Sequence, residues 1–214
     1  MTSRNTHVLR RALPYAAIVG SMLLGGPAWS QANKQPGPSQ TDTINVPTMK
    51  DDLAHRSSDI HWPEGFDPMK ADLFAHNEIN VDASCQRVWA RIIDAEQWPK
   101  WYPNSKNVRI VSNGDAHLKA DAVFRWTTFG LPLESKIHEF VTGSRIGWYG
   151  YAPGTAPTFY HTRYLVPEGN TCHVVMEEVG KGHDAAHLRE TDEGLMHRGH
   201  NVWLVTLKWM SEIQ

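Results

Sequence analysis

The chain has 214 residues, 23 acidic and 21 basic, for a formal charge of −2. No stretch concentrates Lys and Arg, so there is no electrostatic footprint for nucleic acid and no basis for attraction to an anionic lipid surface. A small or neutral partner fits that balance best.

The first thirty residues read as an export signal. A basic start with Arg4, Arg10 and Arg11 leads into the apolar run "ALPYAAIVGSMLLGGPAW" and then "AWSQA", where Ala28 and Ser30 supply small residues for cleavage after Ser30 or, second, after Ala32. The run is short and broken by Pro14, Gly20, Gly25, Gly26 and Pro27, which favours a cleaved signal over an uncleaved anchor. The adjacent Arg10 and Arg11 raise twin-arginine export, with Sec export the default. A periplasmic or secreted protein with no transmembrane segment after cleavage is the expectation. Without the three arginines of that segment, eighteen basic and twenty-three acidic residues remain, a formal charge of −5.

Residues 31–70 are rich in Pro, Gly, Ser, Thr, Asn and Asp and read as a poorly ordered polar linker, apart from a docking of "IHWPEGF" on the domain. Residues 71–214 are enough for one domain with one core. "LFAHNEINVDA" alternates Phe74, His76 and Glu78 against Ala75, Ile79 and Val81, as a strand does. Asp82 is positioned to cap a helix from about Ala83, and Val88, Trp89, Ile92 and Ile93 fall on one face of it. "EQWPKWYPNS" then forms an aromatic elbow with Trp98, Trp101 and Tyr102.

Six strand-like segments follow: "NVRIVS", "AVFRWTTFG", "LESKIHEFV", "SRIGWYGYA", "TFYHTRYLVP" and "CHVVMEEVG", each break holding Gly, Pro or Asn. The short breaks imply antiparallel hairpins. From about His187 a long amphipathic helix is expected, clearest in "HNVWLVTLKWMSEI", with Trp203, Leu207 and Met210, and nearby Val202, Leu204 and Ile213, as its apolar face. The fold class is α+β: a curved antiparallel sheet wrapped around a long C-terminal helix.

"VWARIIDAEQWPKWYP", "AVFRWTTFGLPLESKIHEFVTGSRIGWYGY", "FYHTRYLVPEGNTCHVVMEEVGKG" and the helix with "HNVWLVTLKWMSE" together resemble the START-like or SRPBCC superfamily, the helix-grip fold of polyketide cyclase and lipid-transport-like domains. The resemblance covers nearly all of residues 71–214. It implies a deep cavity between sheet and helix for a hydrophobic small molecule or lipid; with no recognised nucleotide loop, catalytic triad or covalent cofactor motif in the sequence, non-covalent binding without a cofactor is expected.

The most apolar phase of each strand marks its inward face. Phe124, Trp126 and Thr128 face in from one strand, Leu133, Ser135 and Ile137 from the next, then Ile146 and Trp148; Cys172, Val174 and Met176 follow in the last and carry Glu178 with them. In "FYHTRYLVP" the two phases are nearly balanced, and the resemblance turns His161 and Arg163 inward. The candidate ligand-binding residues are therefore Phe124, Trp126, Thr128, Ser135, Ile137, Trp148, His161, Arg163, Met176 and Glu178. An apolar wall with a few polar groups is the usual make-up of a ligand pocket, although the same aromatic residues serve equally as plain core. Arg163 and Glu178 are expected to pair across neighbouring strands.

Three other readings stay open. His161 could act as general acid or base on an enolisable, polyketide-like substrate, with Glu178 or Arg163 setting its protonation. His183 with His187, and His197 with His200, lie at helical spacing for chelating a metal, but a solvated loop and helix start is the preferred reading of that region and no metal ligand is assigned. The elbow could instead form an exposed interaction patch. Cys85 and Cys172 could form one disulfide, but the preferred reading is two separate buried thiols.

Overall fold

The computed structural model describes residues 46–112 and 114–213. The expected signal, and residues 31–45 of the expected linker, lie outside the described residues.

Seven strands form one antiparallel sheet: β1 Leu73–Val81, β2 Ser105–Ile110, β3 Val123–Thr128, β4 Leu131–Val141, β5 Arg145–Tyr151, β6 Phe159–Glu168 and β7 Thr171–Gly180. Their order is β1-β7-β6-β5-β4-β3-β2, so each strand from β2 to β7 pairs with the next in sequence and β1 closes the far side against β7. Helices α2 Cys85–Ile93 and α4 Leu195–Glu212 cover the inner face, and α3 His183–Asp192 precedes α4. This is the expected α+β helix-grip architecture.

Local details differ from expectation for identifiable reasons. Helix α2 starts two residues later than its sequence suggests, because the Ser84 side chain, not that of Asp82, accepts from the Arg87 N–H. The expected long terminal helix is two helices, broken at Glu193–Gly194. Val202 and Ile213 of the expected apolar face are 44% and 42% exposed, whereas Trp203, Leu204 and Leu207 are buried. A bulge between Ile137 and Glu139 of β4 shifts the alternation, so that Phe140 joins the inner core and Glu139 turns outward to the Tyr164 hydroxyl.

The expectation of a poorly ordered linker is corrected over residues 46–59, while residues 60–66 dock on the sheet as "IHWPEGF" was expected to. Thr48 caps α1 Met49–His55 in a reciprocal capping box with Asp51. Trp62 and Phe66 pack with Phe74, Tyr160 and Val179 on the outer face of the sheet, and Ile60 packs on Tyr164 and Val175. Few apolar residues suffice because the sheet supplies the opposing aromatic surface. Helix α1 lies against edge strand β1, where exposed backbone groups would otherwise offer a pairing template. This outer layer explains the balanced phases of β6: Tyr160 to Leu165 are all buried, His161, Arg163 and Leu165 inward and Tyr160, Thr162 and Tyr164 beneath the N-terminal segment.

Cys85 and Cys172 form a disulfide with Cα atoms 4.9 Å apart, which overturns the reading of separate thiols. The cause is register. Val81, the last residue of β1, lies opposite Cys172, and α2 begins four residues later directly above that pair.

Candidate functional site

Strand pairing places His161 opposite Glu178 and Arg163 opposite Met176, all four side chains facing inward. Helix α4 crosses above and contributes His200. The His161 Nε2 lies 2.9 Å from Glu178 Oε1, and His200 Nε2 lies 2.8 Å from Glu178 Oε2. The three side chains are 6%, 5% and 3% exposed, so the carboxylate is held between two imidazoles away from water.

Burial pushes the Glu178 carboxyl up, but the charges and hydrogen bonds of His161 and His200 outweigh it and hold the pKa at about 2. Burial pushes the His200 imidazole down despite Glu178. Arg163, also fully buried, is pushed down to about 9 by desolvation, against the opposing pull of Glu178 and Tyr102.

The expected Arg163–Glu178 contact pair is not formed. The Arg163 guanidinium is instead sandwiched between the rings of Trp148 and Trp203, 4.4 and 4.5 Å from their centroids. Glu178 compensates its charge through space, while the carboxylate oxygens are taken by the histidines.

The space between sheet and helix, where the resemblance implies a deep cavity, is filled. Trp98 is fully buried and packs on Phe124, Trp126, Trp148 and Trp203 at centroid separations of 5.5–6.3 Å. Its indole N–H donates to the Ile92 carbonyl, and the Trp126 N–H donates to Ser135. The aromatic elbow is thus a core plug, because the 3-10 turn Ala95–Lys100 drives Trp98 inward; Tyr102 is also buried, so the elbow is no exposed patch.

A pocket of about 160 Å³ remains beside this plug, between the β3–β4 hairpin, β6, β7 and the start of α4. Phe129, Leu131, Leu133, Phe159, Leu188, Leu195 and Met196 form its walls, and Thr128, His161 and Glu178 are its polar groups. Phe129 and Leu195 also line a more open hollow of about 390 Å³ with Tyr102, Arg198 and Val202, so they partition the pocket from an outer vestibule. Phe129 occupies the first central position of a two-residue turn with Gly130, both at positive φ, 50° and 77°. It reaches α4 only because residue 199 is glycine, since a Cβ there would collide with the Phe129 ring. A larger hollow of about 280 Å³ at the β1 edge is lined by Asp51, Asp52, His55, His76, Glu78 and His197 and lacks apolar walls of this kind.

Of the ten sequence candidates, the structure brings Thr128, His161 and Glu178 to the pocket. Phe124, Trp126, Ser135, Ile137, Trp148, Arg163 and Met176 pack in the closed core behind it. Phe159 shares the phase of His161 and follows once the resemblance turns that residue inward, whereas Phe129, Leu195 and Met196 sit at a turn and a helix start that carry no phase. The four histidines proposed as chelating pairs do not converge. His197 turns to Asp52 at 2.9 Å and His200 to Glu178, while the exposed His183 contacts Asp184 at 3.2 Å and stacks on His187, their centroids 6.2 Å apart. No helix among the described residues is long and apolar enough to cross a membrane.

Comparison with known proteins agrees with this architecture. Residues 75–197 match the family model described as polyketide cyclase / dehydrase and lipid transport. No curated protein matches the chain. Among solved structures, a hypothetical protein from Helicobacter pylori is 26% identical with a TM-score of 0.67, over 73% of this chain and 98% of that one. The Zhui aromatase/cyclase from a Streptomyces species is 14% identical with a TM-score of 0.51, over 65% of this chain and 93% of that one. A protein from Thermus thermophilus is 18% identical with a TM-score of 0.50, over 64% and 96% respectively. With the family model spanning more than half its length and the helix-grip sheet in place, the chain belongs to the polyketide cyclase / dehydrase and lipid transport family, within the SRPBCC superfamily.

Proposed function

We propose that the protein binds a small hydrophobic or aromatic molecule non-covalently in the pocket bounded by Phe129, Leu133, Phe159, Leu195 and Met196. The observation that carries this reading is the combination of continuous apolar walls with His161 and Glu178 as convergent polar groups. The volume limits the ligand. A cavity of about 150 Å³ holds a benzene-sized molecule, so one ring fits inside, a second would extend toward the vestibule, and a multi-ring polyketide or long acyl chain does not enter whole. The family's lipid or polyketide chemistry would reach this chain only as a fragment, or with the bulk of the ligand in the vestibule outside Phe129.

The protein works, in this reading, in the periplasm or outside the cell. The amino-terminal signal pattern motivates that placement, and the Cys85–Cys172 disulfide supports it, because such bonds persist in oxidising compartments.

Mass spectrometry of organic extracts from natively exported protein tests the binding reading against a Leu133→Trp variant, whose indole fills the pocket. A compound of one or two rings retained by the wild type and absent from the variant is the expected result. Equal recovery from both, or none from either folded form, would refute it. A second reading, proton transfer by His161, draws on one observation: its Nε2 engages Glu178 while its buried Nδ1 has no partner among the described residues. Loss of turnover in His161→Gln with ligand affinity retained would establish it.

A further inference from the structure

We propose that His161, Glu178 and His200 bind one divalent transition-metal ion, of the zinc or ferrous class that two imidazoles and one carboxylate suit. One donor atom from each residue lies within 4.8 Å of the others; His161 Nε2 is 2.9 Å from Glu178 Oε1 and His200 Nε2 is 2.8 Å from the other oxygen, Oε2, so the carboxylate spans the two rings. Metal–donor distances of about 2.1 Å require donor separations of roughly 3.0–3.4 Å, so the two rings close the site by approaching at most about 1.4–1.8 Å. The three residues come from β6, β7 and α4, elements that fix their positions independently.

Hydrogen-bond accounting singles out a cation here. The Asn77 Nδ2 donates to the His197 carbonyl at 3.2 Å and to Asn201 Oδ1 at 2.8 Å, which settles the orientation of the amide. Its Oδ1 therefore accepts from His200 Nδ1, 3.2 Å away. With its Nδ1–H donating to Asn77, His200 meets Glu178 Oε2 at 2.8 Å through Nε2, where either a second proton or a metal ion can sit. Two acceptors at that distance need a cation between them. A proton would satisfy only this pair, as a buried imidazolium, whereas a metal ion satisfies it and engages His161 as well. The Nδ1–H to carbonyl contact is also the outer-shell arrangement that orients metal-binding histidines.

Access is present, because His161 and Glu178 both line the apolar pocket. One carboxylate against a divalent ion, with the Arg163 charge nearby, leaves the site net positive, so the remaining coordination position suits an oxygen anion, hydroxide first. The metal site rests on side-chain accounting alone and stands whether or not the pocket holds the organic ligand proposed above.

The test is titration of chelator-stripped, untagged protein with cobalt(II) and with zinc, by calorimetry and by the visible absorption of bound cobalt. One equivalent should bind at micromolar affinity or tighter, with an intense tetrahedral or five-coordinate cobalt spectrum. His161→Ala and His200→Ala should each weaken binding about 100-fold, and Asn77→Ala about 10–100-fold through loss of the orienting contact. A His183→Ala, His187→Ala double variant, which removes the exposed pair, should bind as the wild type does. Absence of stoichiometric uptake by folded wild type overturns the proposal, as does binding lost in the His183/His187 variant and kept in the other two. Should the alanine variants of His161 and His200 fail to fold, unchanged affinity in Asn77→Ala overturns it equally.

Discussion

Trp148→Ala tests whether the interior is a filled plug. Trp148 is fully buried, stacks on His161 at 5.3 Å and on Trp98 at 5.9 Å, meets Phe124 edge-on, and covers one face of the Arg163 guanidinium. Removing the indole beyond Cβ opens roughly 140 Å³, which at about 24 cal/mol per Å³ costs about 3 kcal/mol in cavity alone. The desolvated cation–π contact adds up to about 2 kcal/mol. A loss of about 5 kcal/mol is therefore expected, as much as the whole stability of a marginal domain. Urea denaturation of the oxidised protein followed by circular dichroism measures it, and an unchanged m-value keeps the comparison two-state. Indole should bind the new cavity and raise the midpoint of the variant but not of the wild type, since ligand binding to the native state stabilises it. A loss below about 1.5 kcal/mol, against the 3–5 kcal/mol usual for a buried Trp→Ala change, would refute the filled interior; so would an indole response equal in both proteins.

Three further outcomes are expected. Cys85→Ala with Cys172→Ala, which releases a loop of 87 residues, should lower stability by roughly 4–5 kcal/mol on the loop-entropy estimate and the melting midpoint by about 10–15 °C; scanning calorimetry checks this, and a shift under a few degrees would contradict it. At His76, burial alone would lower the pKa, but the hydrogen bond and charge of Glu177, helped by Glu78 and Asp52, outweigh it and raise the pKa above the ordinary 6.5. Its contribution to stability is therefore complete below pH 6.5 and lost as pH rises through the folded value, so urea midpoints should fall across that window in the wild type and fall less in His76→Gln. In Gly199→Ala the helix gains about 1 kcal/mol in propensity while the Phe129 ring must leave, so net stability should change little and ligand affinity by tenfold or more in calorimetric titration.

Much of the sheet was legible because its strands alternate. Phe124, Trp126 and Trp148 turn inward as their phases require, and β2 to β7 fall where the turn residues separate them. What alternation cannot carry is register and covering. It placed Glu178 on the correct face, left Arg163 to be turned inward by the family resemblance, and could not show that Glu178 sits opposite His161 and within reach of α4. It could not show that Cys172 lies beneath the first turn of α2, or that residues 46–66 shield the outer face of β6. The histidine pairs failed for a helical reason: residues three apart differ by about 60° around the axis, enough to send His197 to Asp52 and His200 to Glu178. The pocket itself depends on one glycine and one positive-φ phenylalanine, features that leave no periodic trace.

The most direct measurement is a crystal structure of the mature protein soaked with 4-bromophenol, a one-ring probe whose bromine is located by anomalous scattering. The expected peak lies between Leu133, Phe159 and Leu195, with the phenol oxygen toward His161 and Glu178. Bromine among Trp98, Trp148 and Trp203, or no site in the pocket at saturating probe, would contradict the binding site assigned here.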